Sequence, residues 1–285
     1  MKIHHRRKVN RSFGGTFLLF LLLLAFSLFT SMPLILTISN SFKPLDELWI
    51  FPPKLLPISP TFKNYGDMMN ILSSSWVPFI RYIFNTVFIT LVGTAGHVVL
   101  ASMCAFPLAK KRFPGRNVIF NIIVLALMFN ATVTAIPNYI TMAAFGWIDT
   151  YRSLIIPAFA TPLGLYLMKQ FMEQIPDSLI EAARIDGAAQ WHIFWKIVMP
   201  NVKSAWLTLT LLSVQSLWNM GASSFIFSEE LKTLSYALGQ IISGGIARAG
   251  VGAAVSVIMM LVPITIFILT QSNIIETMST SGMKE

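Results

Sequence analysis

SLIEAARIDGAAQWHIFWKIVMP occupies residues Ser178–Pro200 and is charged and amphipathic, whereas the runs on either side of it are long and apolar. Ser178 and Glu181 are spaced as in a capping box, which predicts the start of a helix. Gly187 follows a short stretch whose apolar positions are Leu179, Ile180, Ala182, Ala183 and Ile185, and a left-handed glycine there would end that helix. A second apolar stretch, which Pro200 stops, predicts another helix. The segment is therefore predicted to form two short helices around a glycine bend.

The surface of the first predicted helix is suited to close contact with another molecule. Ala182, Ala183 and Gly187 are small, so a second backbone can approach them closely. Glu181 and Asp186 flank these positions, which favours a partner with basic residues at the edge of a groove. The alternative interpretation is an interfacial amphipathic hairpin that covers the inner ends of the apolar runs.

The apolar runs are long enough to cross a membrane. The chain is 55% apolar and 12% charged, and a soluble domain carries about twice that charge. Five windows of 25 to 32 residues contain no Asp, Glu, Lys or Arg, and about 20 residues are enough for one helical span. A sixth window, Ser153–Met168, reaches that length if Ile148–Tyr151 joins it and Arg152 snorkels to the interface. The prediction is an all-α membrane protein with six transmembrane helices, near residues 14–38, 82–109, 118–141, 150–170, 204–226 and 252–274.

The orientation of these spans follows from the basic residues. With the N-terminus inside, 14 of the 21 Lys and Arg residues lie on the inner side, whereas the 12 acidic residues divide equally. This asymmetry agrees with the positive-inside rule and predicts that both termini and the segment Ser178–Pro200 are cytoplasmic. The net charge of +9 is then a consequence of topology. The basic N-terminus is interpreted as an anchor to membrane lipid, and no nucleic-acid partner is expected.

The same segment carries a resemblance to a known family. The string EAARIDGAAQWHIFWKIVMP resembles the EAA loop of binding-protein-dependent ABC importer permeases, whose pattern is Glu-Ala-Ala, two residues, Asp-Gly-Ala, and an apolar stretch ending in Leu-Pro. Met199 stands in place of the usual leucine. NSFKP, Ile175-Pro176, Trp218-Asn219 and the terminal SGMKE resemble the carbohydrate-uptake branch. The residues that match the loop pattern are Glu181, Ala182, Ala183, Asp186, Gly187, Ala188 and Pro200.

The resemblance implies a type I ABC importer permease fold, similar to the smaller, six-span permease of the maltose importer. Residues 176–200, hereafter the EAA loop, would then be the coupling loop that seats in a cleft of an ATPase subunit. The implied partners are a second permease subunit in a heterodimer, two cytoplasmic ABC ATPase subunits and an extracytoplasmic sugar-binding protein. The implied location is the cytoplasmic membrane of a prokaryote. The implied cargo is a sugar, either an oligosaccharide or a glycoside.

The chain itself is expected to be a non-catalytic subunit that needs no cofactor or metal. It has no G-x-x-x-x-G-K-[ST] loop, which is the sequence that cradles nucleotide phosphates in P-loop ATPases. The resemblance therefore assigns ATP hydrolysis to the partner subunits.

Polar residues inside the predicted spans are candidates for a translocation path, because such residues are costly in lipid. Asn130, Trp218 and Asn219 combine amides with an aromatic face, which is the chemistry that binds sugars. The alternative for each is hydrogen bonding between helices of the bundle. His97 is expected to be a helix-packing histidine rather than a proton relay.

Three other functions place different requirements on the sequence. An ABC importer for a non-sugar solute, such as a peptide, polyamine or phosphate compound, remains an alternative. An ion-coupled secondary transporter would need acidic residues at mid-membrane, and none of the 12 Asp and Glu residues lies in the middle of a predicted span. A scaffold that docks a cytoplasmic partner without transport is a further alternative.

Overall fold

The computed structural model describes residues 13–73, 76–129, 131–221 and 223–281. All regular secondary structure in these ranges is helical, so the predicted all-α fold is confirmed. Two short 3₁₀ segments, Glu229–Leu231 and Ile246–Arg248, supplement the helices. The helices are α1 Phe13–Ser41, α2 Leu45–Leu48, α3 Lys63–Ser73, α4 Phe79–Lys110, α5 Arg116–Ala126, α6 Ala131–Ala144, α7 Arg152–Phe159, α8 Pro162–Glu173, α9 Asp177–Ile185, α10 Gln190–Asn201, α11 Lys203–Trp218, α12 Leu234–Ile242 and α13 Ala249–Ser281.

Within the described residues, four helical segments are long and apolar enough to cross a membrane. A fifth candidate is the pair α10 and α11, which meet at a bend of 80°. The predicted span 118–141 contains two helices, α5 and α6, because the chain turns after Ala126. The predicted span 204–226 is helical only as far as Trp218. The six-span topology stays a prediction. The four segments are Gly14–Ser41, Phe79–Lys110, Arg152–Glu173 and Ala249–Gln271.

The chain forms two compact units. One contains residues up to 68 together with 244–257, and the other contains 69–243 together with the residues from 258 onward. In the first unit, buried polar side chains hold the loop that follows α1 through hydrogen bonds to its backbone. Asn64 donates to the carbonyls of Ser41 and Lys43 at 2.9 and 2.8 Å. The carboxylate of Glu47 accepts from the amide of Ile58 at 2.7 Å. These bonds satisfy backbone groups that regular structure does not pair.

In the second unit α4 is the central helix. It packs most extensively against α8, α11 and α7. Small residues permit these close contacts, because Ala101, Ala105 and Ala109 face the core at intervals of four. Met168 and Leu209 on the neighbouring helices are almost fully buried against this face. The same cluster continues into the EAA loop, so the loop and the helices share one core.

Candidate functional site

The first helix of the EAA loop begins earlier than the sequence indicates. Pro176 is the N-cap residue, with an extended backbone, and α9 starts at Asp177. Within the described residues, no side chain makes a capping hydrogen bond at this end. The predicted capping box between Ser178 and Glu181 is therefore wrong. Because Pro176 fixes the entry of the chain, Ser178 falls inside the first turn, where its hydroxyl no longer faces the free amides.

The predicted glycine bend is confirmed. Gly187 has a φ of +81°, in the left-handed region that glycine adopts without steric cost. Its amide donates to Arg184 O and the amide of Ala188 donates to Ala183 O, each at 3.0 Å. These two bonds form a Schellman motif, which satisfies carbonyls at the end of α9. A Cβ at position 187 would meet no atom of the described residues within 4 Å, so among them the backbone conformation alone selects glycine.

The second helix of the loop contains a π-helical segment at Ile193–Val198. Pro200 lacks an amide hydrogen, so the regular α-helical bond to Lys196 O cannot form. The amide of Met199 instead donates to Phe194 O, five residues back. Widened turns of this kind occur often at functional sites. The predicted helix in this stretch is thus present, with one wider turn before the proline.

The EAA loop has one face in the core and one face in solvent. Ile180, Ile193 and Val198 are at most 3% exposed and pack in the cluster that contains Met168 and Met172. The opposite face carries most of the residues that match the family pattern. The exposed residues on it are Glu181, Ala182, Asp186, Gly187 and Pro200, whereas Ala183 and Ala188 are half-buried.

Ion pairs tie the start of the loop to the end of α4. Lys110 Nζ lies 2.8 Å from Asp177 Oδ1. It also donates to the carbonyls of Glu173, at 3.3 Å, and Ile175. The hydrogen bond from Lys110 and its positive charge hold the pKa of the Asp177 carboxyl below its usual value. Lys110 and Asp177 were not recognised from sequence; their only signal is that opposite charges stand at the inner ends of two predicted elements.

Glu173 is the centre of a second ionic group at the same end. Its carboxylate lies 3.0 Å from Arg116 Nη2 and 2.7 Å from Lys169 Nζ. Lys169 Nζ also lies 3.8 Å from the centre of the Phe120 ring. These contacts join α5 to α8, next to the residue at which the EAA loop begins.

A cavity of about 550 Å³ lies in the second unit, between α6, α7, α11 and the segment that follows α11. His97 forms part of its wall. His97 Nδ1 is 2.8 Å from Ser213 Oγ, and Nε2 is 3.2 Å from Thr161 O. Both ring nitrogens therefore have partners, one on α11 and one at the residue that precedes α8, and the prediction of a packing histidine is confirmed.

The candidate path residues have different surroundings. Trp218 is 7% exposed, and its Nε1 donates to Met259 O at 3.0 Å. It does not line the cavity, so its geometry favours the alternative of packing between helices. Asn219 is exposed and donates to Gln215 O within its own helix turn, at 2.9 Å. Asn130 lies outside the described residues. The role of these residues in a path stays a prediction.

Residues 97–277 match the family described as the binding-protein-dependent transport system inner membrane component. The chain belongs to this family of permeases. The permease is 32% identical over 215 residues to protein LplC of Bacillus subtilis (strain 168), covering 75% of this chain and 70% of LplC. It is 29% identical over 258 residues to the trehalose transport system permease protein SugB of Mycobacterium tuberculosis (strain CDC 1551 / Oshkosh), covering 88% and 91%.

The fold of the permease matches a crystal structure of a bacterial ABC transporter involved in the import of the acidic polysaccharide alginate. The TM-score is 0.77 at 26% sequence identity, and the match covers 93% of this chain and 99% of the other. The predicted family and the type I importer fold are confirmed by these matches. The permease is accordingly a multi-pass inner-membrane component of an ABC importer. The family match includes the whole EAA loop and the cavity wall from His97 onward.

Proposed function

We propose that this permease moves a carbohydrate, an oligosaccharide or a glycoside, across the cytoplasmic membrane in an ATP-driven importer. The EAA loop transmits the movement of an ATPase subunit to the helices. The observation that carries this proposal is the continuity of the loop core with the bundle core. Ile180 and Val198 pack in one cluster with Phe106 and Leu209 of α4 and α11. Since packed cores transmit strain, displacement of the loop displaces those helices.

The exposed face of the loop has the chemistry of a docking surface. Ile185 is 86% exposed, so its large apolar side chain is accessible for burial against a partner. Glu181 and Asp186 are exposed on either side of it in the chain. An apolar centre with carboxylates at its edge fits a cleft with an apolar floor and a basic rim. The ATPase subunit is the partner that this arrangement supports.

The assembly that we propose contains a second permease, two cytoplasmic ATPase subunits and an extracytoplasmic sugar-binding protein. The excess of basic residues on the loop side supports cytoplasmic termini and a cytoplasmic EAA loop. In this assembly the partner subunits hydrolyse ATP, and the permease contributes the gate. ATP binding closes the ATPase pair and favours one state of the gate, because the loop contacts differ between the two states.

A carbohydrate cargo is supported by what similar proteins are named for. SugB is named for trehalose, and the similar crystal structure belongs to an alginate importer. The hydroxyl and amide groups that line the cavity next to His97 are also suited to sugar. An importer for a non-sugar solute is the competing function, and transport in proteoliposomes distinguishes the two.

A cysteine crosslink tests the docking of the EAA loop. In a Cys104→Ser background, Ala182→Cys places a thiol on the exposed face of α9, whereas Gln174→Cys places an exposed thiol outside that helix. We expect a short bifunctional reagent to join position 182, and not position 174, to an ATPase subunit in membranes. Capture of position 182 by an extracytoplasmic protein, or no capture of an ATPase, contradicts the proposal.

Transport in proteoliposomes tests the energy source and the cargo. We expect the importer, assembled with its partner subunits, to accumulate a labelled carbohydrate when ATP is inside the vesicles with the ATPases. An uncoupler should not reduce this uptake, because no ion gradient drives it. Uptake of phosphate compounds or peptides with no uptake of any carbohydrate would support the competing function.

A further inference from the structure

The cavity next to His97 has a distinctive chemical composition. Its polar lining consists of serine and threonine hydroxyls, the amide of Asn138 and the imidazole of His97. Among the described residues that line it, none is Asp, Glu, Lys or Arg. Its volume of about 550 Å³ falls within the range of small-molecule sites. The cavity can thus hold a polar molecule, but it offers no charged group as a partner.

Some polar groups of this wall already have partners within the chain. Ser153 donates to Thr150 O at 2.8 Å, Thr161 donates to Ala158 O at 3.0 Å, and Ser213 bonds to His97. Asn138 and Ser216 are exposed to the cavity, and within the described part of the chain neither side chain forms a hydrogen bond. These two side chains therefore keep their full donor and acceptor capacity for a ligand.

An aromatic ring forms part of the wall of the same cavity. Phe225 lines it and stacks on Tyr139, with ring centres 6.3 Å apart and an angle of 21° between the planes. The backbone at this ring is held firmly, since Phe225 O accepts from the amide of Asp149 at 2.8 Å. The carboxylate of Asp149 in turn accepts from the amides of Phe227 and Ser228, each at 2.9 Å. The ring is thus positioned before any ligand arrives.

We propose that this cavity binds one ring of an uncharged sugar during its passage through the permease. This inference deepens the proposed function and rests on it. The apolar face of a sugar ring packs on Phe225, and its hydroxyls bond to the amide of Asn138 and the hydroxyl of Ser216. His97 is a positioning residue, because its bonds to Ser213 and Thr161 hold α4, α8 and α11 around the site.

The absence of charge from the described lining favours a neutral cargo. A carboxylate that enters a site without a cation loses much of its hydration with no charged partner to compensate. A neutral sugar loses only hydrogen bonds to water, which hydroxyl and amide groups replace. The cargo is therefore expected to differ from the acidic polysaccharide of the structurally similar importer.

Transport kinetics test the two polar contacts. In the reconstituted importer with all its partner subunits, Asn138→Leu and Ser216→Val should each raise the KM for transport of a neutral trisaccharide about fivefold. The probes are maltotriose, cellotriose and xylotriose, and the one that the wild type transports is used. Thr141→Val and Thr210→Val are matched controls on the same two helices and do not line the cavity. They should leave the KM unchanged.

Protection of a cysteine tests occupancy directly. With Cys104→Ser as background, the thiol of Ser216→Cys should react with N-ethylmaleimide, and the neutral trisaccharide should slow that reaction. Trigalacturonate at the same concentration should not slow it. Equal protection by the acidic sugar would overturn the inference, and so would a thiol that no reagent reaches, because a neighbouring subunit would then fill the cavity.

Different results would overturn the proposed function and the proposed sugar site. A wild-type importer that transports carbohydrate, while Asn138→Leu and Ser216→Val keep a normal KM, overturns the site alone. A wild-type importer that transports no carbohydrate overturns both.

Discussion

Lys110 Nζ lies 2.8 Å from Asp177 Oδ1, which joins the last residue of α4 to the first residue of α9. The side chain of Lys110 is only 4% exposed, and it also donates to the carbonyls of Glu173 and Ile175. Those carbonyls lie where α8 has ended and no helical amide reaches them. One buried cation therefore satisfies the backbone at the point where the EAA loop leaves the bundle.

Loss of the Lys110 cation is expected to loosen this junction. Lys110→Met keeps the length of the side chain but leaves the carbonyls of Glu173 and Ile175 without their donor. An unsatisfied buried acceptor costs about 1–3 kcal/mol, so the detergent-solubilised permease should melt at a lower temperature. Lys111→Met is the control, because Lys111 is exposed and its side chain has no ion pair among the described residues. Equal melting temperatures for the two variants would contradict this role for Lys110.

The pH dependence of the junction follows from Asp177. The pKa of its carboxyl is lowered from 3.8, first by the hydrogen bond from Lys110 and then by the charge of Lys110. A lowered pKa in the folded state stabilises the fold above the unfolded value, and that contribution is lost as the pH falls through the folded pKa. The difference in melting temperature between wild type and Asp177→Asn should be constant between about pH 5 and pH 8 and should shrink below about pH 4. A difference that changes near neutral pH would contradict this assignment.

The glycine bend and the buried face of the EAA loop were predictable from sequence because both depend on local chemistry. Gly187 stands where a short helix must end, and the apolar positions of the second helix recur with helical spacing. The start of α9 was not predictable in the same way. Ser178 competes there with Pro176, and the fixed backbone of the proline decides which residue is the cap.

The cavity was beyond the reach of sequence reasoning because it is made by residues from separate helices. Asn138 and Ser216 are 78 positions apart in the chain and meet only through helix packing. The role of Trp218 in a path stays a prediction. An aromatic ring with an N–H group suits a sugar site, whereas in the structure the ring is buried and its N–H donates to Met259 O. Residue type alone does not show whether a side chain on a helix faces a cavity or packs against another helix.

The contact between α4 and α8 is expected to reject even one methyl group. A Cβ at Gly164 would lie 2.2 Å from His97 Nε2, and the His97 ring is fixed by Ser213 and Thr161 O. Overpacking of this kind costs about 1–3 kcal/mol, so Gly164→Ala should lower the melting temperature of the permease. Gly239→Ala is the matched control, because Gly239 is also helical and a Cβ there would have no described atom within 4 Å. Stability gained by both variants would exclude close packing at Gly164.

Two requirements at Gly187, the left-handed backbone and the close approach of an ATPase, can be separated by three substitutions. Its φ of +81° costs about 1–2 kcal/mol for an ordinary L-residue, whereas asparagine tolerates it better. Gly187→Ala and Gly187→Val should therefore reduce stability more than Gly187→Asn, in melting experiments on the isolated permease. Transport coupled to ATP hydrolysis should fail in Gly187→Val and remain impaired in Gly187→Asn. Each side chain would project from the exposed face, where a Cβ has no described atom of this chain within 4 Å, and would therefore obstruct only a partner. Full transport by Gly187→Asn would mean that position 187 acts only through its backbone and that no partner sits closely against it.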